Sequence, residues 1–105
     1  VLDLAKFIVK KIQKSHKNKP IFFIETTPTS KRWKVWDKIS KGNDLIKDFS
    51  SNNRNIFYID TRSFYFTTNG MPNDDFFIRD KLHLNSKGYK LWAKIIKESF
   101  DKNFN

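Results

Sequence analysis

Apolar positions in the first fifteen residues fall three and four apart. Leu4, Ile8 and Ile12, flanked by Leu2, Ala5, Phe7 and Val9, predict a helix from Val1 to about Ser15 whose wide apolar stripe packs on something large. Asn18-Lys19-Pro20 breaks it. Ile21-Phe22-Phe23-Ile24 is then a continuous apolar run of β-favouring side chains, the pattern of a short strand buried on both faces of a parallel sheet. Thr26 to Ser30, with Pro28 in the middle, reads as a loop at that strand's carboxyl end.

Helical spacing returns from about Trp33 and continues through Trp36, Ile39, Leu45, Ile46 and Phe49, with Gly42-Asn43 as a weak point. Ser50-Ser51-Asn52-Asn53 ends it. Ile56-Phe57-Tyr58-Ile59 repeats the buried-strand pattern and stops at Asp60. A long connection follows, with strong turn chemistry at Asn69-Gly70-Met71-Pro72-Asn73. The last helix starts near Ser86, a good N-cap type, and runs through Tyr89, Trp92, Ile95, Ile96 and Phe100.

Helix, strand, helix, strand, loop, helix is the order of an open α/β sheet with parallel strands. Two strands make a poor sheet, and three helices do not replace the missing neighbours. The expectation is therefore one side of a larger domain. The opening Val1-Leu2-Asp3-Leu4-Ala5 has no initiator Met, which fits residues belonging upstream.

Composition narrows the function classes. Eleven Phe and three Trp among 105 residues supply ample core material, so the chain does not read as disordered. The formal net charge of +10 raises nucleic acid or an anionic membrane as partner. The excess is mostly Lys spread along the chain, and its densest stretch, Lys10 to Lys19, falls where a helix ends and cations suit the helix dipole. A solvated surface is favoured over a nucleic-acid footprint, which needs a patch. There is no cysteine, excluding disulfides and thiolate metal sites, and two His do not build a typical zinc site. No apolar run has the length of a membrane span.

The chemistry-bearing constellation is Arg79-Asp80-Lys81-Leu82-His83-Leu84-Asn85, just before the final helix. A His three residues after an Asp can direct Nδ1 at the carboxylate and Nε2 into a cleft, as a general base requires. In open α/β sheets, loops at the carboxyl ends of strands line the ligand crevice. Trp33, Trp36 and Trp92 read as core or cleft wall, Arg32 and His16 as surface, and Asp60 as a brace for its loop. Asp74-Asp75 reads as a turn pair in preference to a metal set.

The run Asp80-Lys81-Leu82-His83-Leu84-Asn85-Ser86-Lys87-Gly88-Tyr89 resembles the final block of the SGNH, or GDSL-like, hydrolases, which precedes their last helix. Upstream, the stretch Pro20 to Trp33, with Arg32-Trp33 entering the next helix, is similar to the strand and Pro-containing loop of many of these esterases. Asn43 and Tyr58-Ile59-Asp60 also match the usual pattern.

The resemblance implies a partial flavodoxin-like three-layer α/β/α sandwich, with residues 1–105 as the C-terminal part of a single SGNH domain whose N-terminal half is missing. It also implies hydrolysis of a carboxylic ester through an acyl-serine intermediate, with Asp80 and His83 as the catalytic acid and base and no cofactor or metal. The family's nucleophilic Ser, and the Gly and Asn that help hold the oxyanion, have no match here. Gly42-Asn43-Asp44 lies within a helical pattern and is rejected as the oxyanion block; Ser30, Ser63 and Ser86 read as loop and capping residues.

The expected partner is a small-molecule, lipid or carbohydrate ester, with no nucleic acid and no transmembrane segment. The rival readings are a catalytically degenerate binding protein of the same fold and a small basic nucleic-acid-binding module. If the chain is a whole unit, its exposed sheet edge invites pairing with another copy.

Overall fold

Alternation along the two strands decides where the helices sit. The computed structural model describes residues 2–104 and contains helices α1 (Leu2–Ser15), α2 (Trp36–Ser51) and α3 (Ser86–Phe104) and strands β1 (Ile21–Ile24) and β2 (Ile56–Ile59). The predicted helix start at Val1 lies outside the described residues. β1 and β2 pair in parallel, Ile21 opposite Ile56 and Ile24 opposite Ile59, joined by the crossover that parallel pairing requires, here α2.

Successive side chains point to opposite faces of a strand. Phe22 stacks on its register partner Phe57 at 5.0 Å and on Phe100 of α3 at 5.2 Å, so this face meets α3. Ile59, Tyr65, Phe77 and Ile95 form the buried cluster there, with Phe22, Phe76, Leu84, Leu91 and Ile96 packed around it. Tyr58 faces the other way, into polar contacts that lead to α2. α1 lies against α2. The result is a mixed α/β arrangement with helices on both faces of a parallel sheet.

Several local expectations change. β1 is not buried on both faces: Phe22 and Phe23 are half-buried and Ile24 is 40% exposed, because each strand has a single neighbour among the described residues. α1 buries Ala5 and Val9, whereas Leu4 and Ile8 of the predicted stripe are exposed and Ile12 is half-buried; the buried side of the helix is narrower than the apolar pattern. Trp33–Val35 forms a 3-10 turn ahead of α2, and α2 runs unbroken through Gly42-Asn43.

The N-cap of α3 is Asn85, not Ser86. Its Oδ1 accepts from Gly88 N at 2.8 Å, satisfying an orphan amide of the first turn. Its Nδ2 donates to the carbonyls of Asp75 (2.8 Å) and Phe77 (3.3 Å), so one side chain both caps the helix and fastens the preceding loop.

Between β2 and α3 the chain makes two 3-10 turns, Arg62–Tyr65 and Asp74–Phe76, and two isolated antiparallel bridges, Phe66 with Pro72 and Phe77 with Leu84. Tyr65 is wholly buried, its hydroxyl donating to Gly88 O at 2.9 Å, and burial pushes its pKa up to about 12. Gly88 is required by proximity, since a Cβ there would lie 2.2 Å from the Phe76 carbonyl oxygen.

Candidate functional site

The loop carrying Asp80 and His83 is a tight reversal closed by backbone bonds. Ile78 N donates to His83 O at 2.8 Å and Lys81 N to Ile78 O at 2.9 Å, with Lys81 in the left-handed region at φ 58°. Asp80 organises the turn from within. Its Oδ1 accepts from Leu82 N (2.9 Å) and His83 N (3.0 Å), which leaves Oδ2 to meet His83 Nδ1 at 2.5 Å.

Electrostatics fix the tautomer. The hydrogen bond from the His83 ring, followed by those from the His83 and Leu82 amides, lowers the Asp80 pKa from 3.8 to about 2. Asp80 is then an acceptor only, so Nδ1 carries the shared proton. In the neutral ring Nε2 has a free lone pair. The His83 side chain is 66% exposed and borders an open groove of 340 Å³ whose walls include Ile24, Thr26, Thr27, Tyr89 and Trp92. A slightly larger depression of 380 Å³, between Asp60 and Lys102, contains no histidine.

The His83 loop is tied to the loop after β1. Lys31 N donates to Lys81 O at 3.2 Å, and Ser30 Oγ donates to Asp74 Oδ1 at 2.6 Å. Asp74 also faces Lys81 Nζ at 3.8 Å, so Asp74-Asp75 brace a turn. Among the described residues no group of three or more His, Cys, Asp or Glu is placed to hold a metal ion, and no helix is long and apolar enough to cross a membrane.

The β1 loop is itself pinned by residues the sequence reading did not single out. Glu25 has a fully buried side chain. Its Oε1 accepts from Tyr58 OH at 2.7 Å and faces Arg62 Nε at 2.9 Å, while Oε2 accepts from Thr61 N at 2.9 Å and Arg62 N at 2.8 Å. Arg62 extends to Ser40 Oγ (2.8 Å) and Asp44 Oδ1 (2.5 Å) on α2. Burial, then the bond to Glu25, raises the Tyr58 pKa well above its ordinary value. Next to Glu25, Thr26 is held at both ends by buried Asn43, whose Oδ1 accepts from Thr26 N (3.2 Å) and whose Nδ2 donates to Thr26 O (3.1 Å).

A family model for GDSL-like lipase/acylhydrolase matches residues 8–96. The chain belongs to that family. The match takes in the Asp80–His83 turn, both strands, all of α2 and most of α1 and α3, so the GDSL-like assignment covers the fold as well as the loop. Searches of curated proteins and of solved structures returned no match.

The GDSL-like family is one of hydrolases, and three features of the chain outside the Asp-His pair bear on its site. Asn43 is occupied on the Thr26 backbone. Asp60 pairs with Lys47 at 3.3 Å on the surface. Trp92 stands in the groove wall beside His83, edge-on to Tyr89 at 6.3 Å. A buried Glu immediately after β1, followed by an Arg three residues past β2, was the available signal for the Glu25–Arg62 pair; sequence separation hid it.

Proposed function

We propose that residues 1–105 are the C-terminal part of a single SGNH-type domain and supply the acid and base of a serine ester hydrolase. One observation carries the reading: the 2.5 Å contact of His83 Nδ1 with an Asp80 carboxylate that its own turn holds in place. That arrangement suits an imidazole kept in one tautomer with Nε2 available. In this reading the nucleophilic serine lies on a segment outside the chain.

The steps follow from that geometry. His83 Nε2 takes the serine proton as Oγ bonds to the ester carbonyl carbon, and Asp80 stabilises the imidazolium. The tetrahedral intermediate collapses, the bond from carbon to the alcohol oxygen breaks, and Nε2 returns the proton to the leaving alcohol. Water then repeats the sequence on the acyl-serine, giving the carboxylic acid and free serine. The mechanism uses no cofactor or metal, and the chain alone is expected to be inert because the nucleophile is absent.

The test is intact mass of the full-length polypeptide before and after a fluorophosphonate that labels activated serines. A single adduct, lost in His83→Ala, is expected. A full-length protein that contains the serine and takes no label, or labels equally in His83→Ala, overturns the reading.

A further inference from the structure

The reversal that carries Asp80 and His83 is anchored differently at its stem and at its tip. At the stem, Phe77 bridges Leu84, and Asn85 Nδ2 donates to the carbonyls of Asp75 and Phe77 at 2.8 and 3.3 Å. The tip, Arg79 to Lys81, is exposed. Asp80 stands on that tip and sets the direction of the His83 ring. A general base has to come within about 3 Å of the atom whose proton it takes, so whatever fixes the tip also fixes the aim of Nε2.

Among the described residues, one backbone hydrogen bond joins the tip to a distant segment: Lys31 N donates to Lys81 O at 3.2 Å. Lys81 directly follows Asp80, and Lys31 directly follows Ser30. The Ser30 hydroxyl donates to Asp74 Oδ1 at 2.6 Å, short as expected for a carboxylate acceptor. Asp74 opens the 3-10 turn that leads into the first arm of the reversal. The loop that delivers Ser30 is itself held, since Pro28 and Thr29 are buried and Thr29 Oγ1 accepts from Arg32 N at 3.1 Å. Ser30 is thus the last link between a fixed loop and the turn. Asp74 Oδ2 also faces Lys81 Nζ at 3.8 Å, but those side chains are 47% and 59% exposed, and such a pair carries little weight.

We propose that Ser30 and Asp74 are positioning residues for the base: their hydrogen bond holds Lys31 N against Lys81 O and so fixes where His83 Nε2 points. The inference rests on His83 being the base. Neither residue belongs to the Asp80–His83 contact, which its own turn makes. Loss of the link therefore misdirects an intact pair, and the effect enters the chemical step, kcat, in preference to KM.

The experiment measures kcat and KM of the complete enzyme on 4-nitrophenyl butyrate for the parent, Ser30→Ala, Ser30→Thr, Asp74→Ala and the Ser30→Ala/Asp74→Ala double variant, with the Asp80 carboxyl-carbon titration of each. Ser30→Ala and Asp74→Ala are each expected to lower kcat roughly tenfold, the scale of a sub-ångström displacement of a reacting group, with KM within about twofold. The double variant should be no slower than the slower single, because both remove one bond. Ser30→Thr, which keeps the hydroxyl, should retain most of kcat. The Asp80 midpoint should stay near 2 throughout. Parental kcat in Ser30→Ala, additive losses in the double variant, an equal loss in Ser30→Thr, or a raised Asp80 midpoint in Ser30→Ala would each overturn the link, the last by placing the damage in the pair itself. If His83→Ala is inactive while Ser30→Ala is parental, only the link is wrong; if His83→Ala is as active as the parent, the assignment of the base falls as well.

Discussion

Arg62 Nε lies 2.9 Å from Glu25 Oε1, joining the residue just after β1 to the turn that follows β2. The Glu25 carboxylate is wholly buried and receives four contacts, which compensates the desolvation a buried charge otherwise incurs. The pair also reaches α2 through Ser40 and Asp44. Sheet, crossover helix and the loop after β2 are thus fixed relative to one another at the end of the sheet where the groove opens.

Removing one partner should therefore destabilise more than the contact alone is worth. Glu25→Ala takes the acceptor from Arg62 Nε, the Tyr58 hydroxyl and two backbone amides, and the expected loss is about 3 kcal/mol. Urea unfolding of parent and variant measures it; a change under about 0.5 kcal/mol, the size of an ordinary surface substitution, would show that the network is not structural.

Gly88→Ala should go against helix propensity. Alanine in a helix is ordinarily favoured over glycine by about 1 kcal/mol. At this position a Cβ meets the Phe76 carbonyl oxygen at 2.2 Å, and the displacement needed should destabilise by about 1–3 kcal/mol. A rise in melting temperature in Gly88→Ala would contradict the close approach of α3 to that carbonyl.

The cap of α3 separates two neighbouring residues. Asn85→Ala loses the bond to Gly88 N and the two bonds to the preceding loop, an expected cost of about 2 kcal/mol. Ser86→Ala should stay within about 0.5 kcal/mol, since it makes no cap. Chemical denaturation of the two variants decides between them, and a larger loss at Ser86 would restore the assignment that sequence alone favours.

Asp80 should titrate abnormally low. Its pKa is depressed from 3.8 to about 2 by His83 and by two amides. A depressed carboxyl stabilises the folded state above the unfolded value and loses that contribution as pH falls through the folded value. The window is therefore from about pH 4 down to about pH 2. Carboxyl-carbon NMR should give a midpoint near 2 in the parent, moving upward in His83→Ala; an unshifted midpoint in the parent would count against the carboxylate–imidazole contact.

Both strands, all three helices and the Asp80–His83 turn were legible because each is encoded locally. Strand runs, helical spacing and a four-residue turn leave their mark in consecutive residues. The contacts that shape the groove are not local: Glu25 meets Arg62 across 37 positions and Asn43 meets Thr26 across 17. The N-cap lies one residue before the expected Ser86: Asn85 and Ser86 are both good capping types, and Asn85 is the one anchored to the carbonyls of Asp75 and Phe77. The apolar run of β1 predicts an enclosed strand because such a run records what a strand can bury, not how many neighbours it has.

Asp80 and His83 are brought together by a single turn, so almost no loop-closure entropy opposes their contact. Folding of the rest of the chain is needed to carry the pair to the groove, not to make it. Local opening that detaches the Lys31 and Ser30 ties would strip the groove of one wall while leaving carboxylate and imidazole in place. Titration of Asp80 is for that reason a sensitive measure of the turn and an insensitive one of whether the surrounding site is assembled.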